Sequence, residues 1–238
     1  ADEAKELAEI VERIKAPICS ITISEVTDMP LIREHNVSLS GIDSVEELPK
    51  CDIEIFKQHK TEIFFELPIK VPTADERFMD DGRHYTKSNI NVCYSLDTRN
   101  PRKPKSRNWY EFQLTVASTE YNKPGYPEKN VPFYIVTDDG FMFKAHTTSA
   151  NNKQLSAVGD EHIFGYWLKG RLAASGLVNP VPDTQKDTDR LGMITKEMLE
   201  AYGCNSLTFT KTDKKAIDEE GNELDVWIVE FISAENGD

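Results

Sequence analysis

The chain has 238 residues, of which 39% are hydrophobic and 29% charged, enough for one large domain or an ordinary domain with an appendage and too apolar for global disorder. No apolar run approaches the roughly 18 residues of a membrane-spanning helix, so no membrane partner is expected. The net charge of −13 would exclude a polyanionic partner if it were spread evenly, but residues 1–82 carry 9 basic against 19 acidic side chains, residues 108–238 carry 12 against 21, and residues 83–107 carry 7 against 1. Such a basic island is a local field that decides where a polyanion docks. On charge alone it reads equally well as a solvated loop balancing nearby acids.

Taken in chain order, residues 2–15 place Ala4, Leu7, Ala8, Val11 and Ile14 at helical spacing and predict an amphipathic helix that needs a partner surface. The chain opens inside this pattern with no charged-then-apolar leader, and reads as a piece of something longer. Residues 16–60 carry no assignable pattern. Residues 1–60 are expected to be a connector or the tail of a missing domain, mixed helical and irregular, with a separate domain over 61–238. Residues 61–68 predict a strand closed by Pro68. The polar segment 71–108 is too long for a plain hairpin loop, with a short strand expected at 91–95. Residues 110–116 alternate as a half-buried strand should. Residues 131–136 and 141–145, joined by Thr137-Asp138-Asp139-Gly140, predict a hairpin, and the polar stretch 146–154 follows.

Helix 160–175 then places Ile163, Phe164, Trp167, Leu168 and Leu172 on one buried face, and Gly176 stops it. The Pro/Asp-rich segment 177–192 reads as a surface insertion. A short helix over 195–202 is closed by Gly203, and strands at 206–210 and 226–231 flank an acidic turn at 218–221. About seven strands with two short helices predict a mainly β fold, a small barrel or sandwich rather than a doubly wound sheet.

No complete catalytic signature is present. A covalent-histidine nuclease needs His-x-Lys, and none of His35, His59, His84, His146 or His162 has lysine two positions later. Gly-x-Ser-x-Gly, P-loop and dinucleotide-binding patterns are absent, as is His-x-x-x-His zinc spacing. Cys19, Cys51, Cys93 and Cys204 form no CxxC pair, which fits reduced thiols in a cytoplasmic protein without a metal site. No cofactor is expected. Pro182-Asp183 followed by Asp213-Lys214-Lys215 matches a metal-dependent nuclease pattern in form, with Asp183 and Asp213 on the ion and Lys215 near the water. That leaves such a nuclease as an alternative reading. A second alternative is an acidic DNA-mimic protein that occupies another protein's site.

Several stretches occur together in one order: Val136-Thr137-Asp138-Asp139-Gly140, Phe143, Phe164-Gly165-Tyr166-Trp167-Leu168-Lys169-Gly170-Arg171-Leu172, Ile194-Thr195 to Tyr202-Gly203, and Val226-Trp227 to Phe231. With Lys87-Ser88-Asn89-Ile90-Asn91-Val92, Trp109-Tyr110-Glu111-Phe112 and Tyr126-Pro127-Glu128-Lys129 upstream, this set resembles the C-terminal region of restriction endonucleases of the NgoFVII type. There a phospholipase-D-like nuclease precedes a B3-like DNA-recognition domain. The resemblance covers about residues 85–232. It implies a seven-stranded open pseudobarrel, binding to double-stranded DNA, and the nuclease domain of the parent chain as a further partner. With His-x-Lys missing, the family's catalysis is not carried onto this chain, which is read as no enzyme in itself.

The resemblance further implies two loops that grip the major groove, one in the basic segment 71–108 and one at 146–154. The side chains expected to read bases are Arg83, Lys87, Ser88, Asn89 and Asn91 on the first, and Thr148, Ser149, Asn151, Asn152, Lys153 and Gln154 on the second, because such groups pair with base edges. Arg99, Arg102, Lys103, Lys105 and Arg107 are expected at phosphates. Phe143, Phe164, Trp167, Trp227 and Phe231 read as core.

Overall fold

The computed structural model describes residues 51–78, 90–96, 100, 102 and 105–233. Its centre is one sheet of seven strands: β1 (Lys60–Pro68), β2 (Leu114–Thr115), β3 (Phe133–Thr137), β4 (Met142–Thr148), β5 (Gln154–Ala157), β6 (Cys204–Ile217) and β7 (Glu223–Ser233). The order across the sheet is β1-β6-β7-β3-β4-β5-β2. β3 and β7 run parallel and every other neighbouring pair is antiparallel. The short helices are α1 (Ile53–Lys57), α2 (Ser118–Tyr121), α3 (Ile163–Ala174) and α4 (Lys196–Tyr202). This is the open, mainly β pseudobarrel that the sequence predicts.

Alternation along the strands builds the core. Phe65 and Leu67 of β1, Phe133 and Ile135 of β3, and Phe209 of β6 turn inward, where the Phe209 and Trp227 rings stack with centroids 4.3 Å apart. Trp167, Phe164 and Phe143 join them, and Phe231 is partly buried against Trp167. Helix α3 plugs this barrel. Its residues 163–172 are all buried, Lys169 and Arg171 included, so the single buried face expected of it becomes burial on every side. Gly203 ends α4 in the left-handed conformation at φ +81°, as its position predicts.

Several expectations are corrected. Of residues 110–116 only Leu114–Thr115 is strand: Asn108 draws in the backbone N–H of Tyr110 through its side chain and that of Glu111 through its carbonyl, making a turn. The alternation there marks buried Trp109, Tyr110 and Phe112 rather than a ladder. Residues 92–94 form a 3₁₀ turn instead of a strand. The last two strands are far longer than predicted and pair as a hairpin beyond an irregularity between Lys211 and Lys215. Strand β5 lacked a predicted counterpart, because its four residues lie next to a polar tip. The segment 177–192 is no loose insertion. Its Thr184 hydroxyl donates to Cys93 O at 2.7 Å, Gln185 Nε2 donates to Tyr94 O at 3.1 Å, and Tyr94 donates to Asp187 at 2.5 Å. The helix expected at 2–15 lies outside the described residues.

Candidate nucleic-acid interface

Strands β4 and β5 form a hairpin whose register sets Thr148 opposite Gln154 and His146 opposite Ser156. On the far side of β5, Gln154 faces Thr115 of β2. Inward positions 145, 147, 155 and 157 are buried, so His146, Thr148, Gln154, Ser156 and Thr115 share the outer, half-exposed face. This is an uncharged lattice of hydroxyls, an amide and an imidazole. Burial lowers the His146 pKa below the ordinary histidine value, which keeps the ring neutral near pH 7. Thr115 and Ser156 escaped the sequence reading because only strand register brings them beside the loop.

At the hairpin tip Ser149, Asn151 and Asn152 all have positive φ, 64°, 59° and 58°. Asparagine tolerates that region better than most residues, while serine gains little there. The conformation is held from behind by the 126–130 segment. The Tyr126 hydroxyl donates to Asn152 O at 3.1 Å, the Thr147 hydroxyl reaches Glu128 O at 3.0 Å, and Asn130 N donates to Thr147 O at 2.8 Å. Asn151 and Lys153 consequently project outward and are exposed. The tip thus offers amides and one ammonium on a braced support.

The basic segment is described only in part: Arg83, Lys87, Ser88, Asn89, Arg99 and Lys103 lie outside the described residues. Asn91 is inside them and is buried, at 1% exposure. Its Nδ2 donates to Ile194 O at 2.8 Å and its Oδ1 accepts from Ile194 N at 3.0 Å, which occupies the amide as a backbone clamp and removes it from base reading. Arg102 and Lys105 are exposed, whereas Arg107 pairs with the buried carboxylate of Glu111. Burial raises the Glu111 pKa although Arg107 opposes it. Because β2 runs antiparallel to β5, with Val116 N donating to Lys153 O at 2.7 Å, the chain before Leu114 leaves toward the Ala157 end. The chain that carries the basic segment thus enters β2 from the end of β5 opposite the tip.

The strings that carry the resemblance turn out to brace this arrangement. A Cβ on Gly165 would lie 1.7 Å from Tyr110 O, so only glycine lets the 109–111 turn rest on α3. One helical turn on, Lys169 donates to the carbonyls of Trp109 and Glu111, the latter at 3.0 Å, and its Nζ lies 3.4 Å from Cys93 Sγ. Burial lowers the Lys169 pKa and raises that of the Cys93 thiol. Two residues to either side, Arg171 donates to Asp138 at 2.5 Å and to the Tyr202 hydroxyl at 3.0 Å, while Trp167 Nε1 donates to Asp139 at 3.0 Å. Burial by itself would lower the Arg171 pKa, but Asp138, Tyr202 and Asp139 outweigh it and hold the guanidinium charged. The same Asp-Asp-Gly turn anchors the incoming chain: Cys51 N donates to Gly140 O at 2.9 Å, and Gly140 has φ +87°.

The three residues of the nuclease pattern do not converge. Asp183 accepts from the Ser106 hydroxyl at 2.7 Å, Asp213 pairs with His59 at 2.8 Å, and Lys215 pairs with Asp225 at 3.1 Å. Among the described residues there is no group of three or more His, Cys, Asp or Glu side chains placed to hold a metal ion. No helix among them is long and apolar enough to cross a membrane.

A comparison with known families places residues 55–202, more than half of the chain, on the NgoFVII C-terminal B3-like DNA-binding domain. No curated protein matches the chain.

Proposed function

The chain belongs to the NgoFVII C-terminal B3-like DNA-binding domain family and binds DNA, and from that premise we propose that it is the target-recognition domain of a cytoplasmic restriction endonuclease. In this reading it holds the major groove of double-stranded DNA and addresses the nuclease domain of its parent chain to a site. The observation that carries the reading is the β4–β5 hairpin. From His146 to the tip its outer face is uncharged and rich in groups that both donate and accept, and the tip projects Asn151 and Lys153 from a braced turn. Thr148, Asn151, Asn152, Lys153 and Gln154 are the proposed base readers on this side, with Arg83, Lys87, Ser88 and Asn89 on the other; Ser149, expected among them, is left out because its hydroxyl oxygen is buried. Asn91 is left out because its amide is committed to Ile194. Arg99, Arg102, Lys103 and Lys105 are the proposed phosphate contacts, with Arg107 joining only on release from Glu111.

The acidic remainder of the surface repels DNA in every other orientation, which favours the productive one. A gel-shift selection from randomised duplexes tests the proposal, with one short motif expected to be enriched. On that motif Asn152→Ala and Asn89→Ala should each weaken binding by about 1–3 kcal/mol while leaving random DNA nearly unaffected. Equal losses on both DNAs would remove the base-reading role.

A further inference from the structure

Strand β4 turns Met142, Lys144, His146 and Thr148 to the same outer side. Lys144 is the cation of that row, but its ammonium is already occupied. Asp218 lies 3.3 Å away and Glu219 contacts it as well, both from the turn that joins β6 to β7. The turn is built to stay there: Asp218 accepts backbone N–H bonds from Asn222 at 2.8 Å and Glu220 at 3.0 Å, and its side chain is 5% exposed. Glu219 is 80% exposed and contributes little to that scaffold. Two carboxylates thus serve one ammonium, leaving the spot negative.

We infer that Asp218 and Glu219 are specificity-determining residues that act by masking Lys144, withholding from the phosphate backbone a cation that would bind any sequence. The inference rests on the DNA-facing reading of the hairpin. Four residues of strand separate Lys144 from Thr148, about 13 Å, which is close to the roughly 12 Å width of the major groove. With Thr148 at the groove, Lys144 stands where the flanking phosphates run. A free ammonium there would add sequence-independent affinity and a steeper salt dependence, about 0.9 in the slope of log K against log salt. Masking it lowers the affinity for all DNA and leaves the contacts to base edges as they are, so the ratio between target and bulk DNA improves.

The test uses the chain with a random-sequence duplex, measured by fluorescence anisotropy across a salt series. Asp218→Asn/Glu219→Gln keeps an oxygen to accept the turn's N–H bonds while releasing Lys144, and its melting curve checks that it folds. This variant should bind the random duplex roughly three- to tenfold more tightly at low salt, with a slope steeper by about 1. Adding Lys144→Ala to it should cancel both gains. A gain that survives Lys144→Ala would reduce the effect to net charge and overturn the masking, as would an absence of gain. Wild-type protein that binds DNA while the variant behaves identically would sink the masking alone; failure of both to bind would sink the DNA-binding reading of the hairpin with it.

Discussion

At the scale of single residues, Gly165 and Lys169 decide whether the 109–111 turn can sit on α3. A methyl group at residue 165 would meet Tyr110 O at 1.7 Å, a distance no rotamer change can relieve because both partners are backbone. Gly165→Ala should therefore cost at least the roughly 1–3 kcal/mol typical of overpacking, read as a lower urea midpoint; an unchanged midpoint would show that the turn yields freely. Lys169→Met should strand the carbonyls of Trp109 and Glu111 in the core, at about 1–3 kcal/mol for each buried group left unpaired. The string Phe164-Gly165-Tyr166-Trp167-Leu168-Lys169-Gly170-Arg171-Leu172 was legible as a family mark and as a helix. The burial of its two cations was not, because the carbonyls and carboxylates that receive them come from segments more than 30 residues away in the chain. Asn91 was misread for a similar reason: an asparagine in a basic stretch resembles a base reader until Ile194 is placed beside it.

At the scale of elements, the strands whose inward residues face a single core were predicted close to their true bounds, as β1 and the β3–β4 hairpin show. The β6–β7 hairpin exceeded its predicted length because the distal half, from Lys215 to Leu224, is paired but mostly polar, and polarity alone suggests a loop. Its turn is held by Asp218, whose pKa falls from 3.8 to about 2 because the Asn222 backbone N–H bonds the carboxylate, joined by the Asn222 amide, Glu220 N–H and Lys144. A depressed carboxylate adds stability that is complete above the unfolded value near 3.8 and is lost as pH falls through about 2. Denaturant midpoints taken between pH 5 and pH 2 should therefore drop, and Asp218→Asn should flatten that drop. An identical pH profile in the variant would mean that the turn is held by other groups.

At the scale of the whole molecule, the pseudobarrel supports two regions that approach β5 from opposite ends. The hairpin tip stands at the Gln154 end, braced by residues 126–130, and the chain that carries the basic segment enters β2 from the Ala157 end, braced by α3 and by residues 184–194. The charge island at 83–107 was visible from composition because it interrupts two acidic stretches. Its support by the Pro/Asp-rich segment was not, since the bonds to Cys93 and Tyr94 follow no local period. In the proposed function both regions touch the same duplex. A photo-crosslinking amino acid placed at position 87 or at position 152 of the chain, bound to one selected duplex, measures this directly. Crosslinks are expected from both positions to bases of that duplex, a short distance apart within the major groove. Crosslinks from position 152 alone, with position 87 silent on the same bound DNA, would contradict that reading.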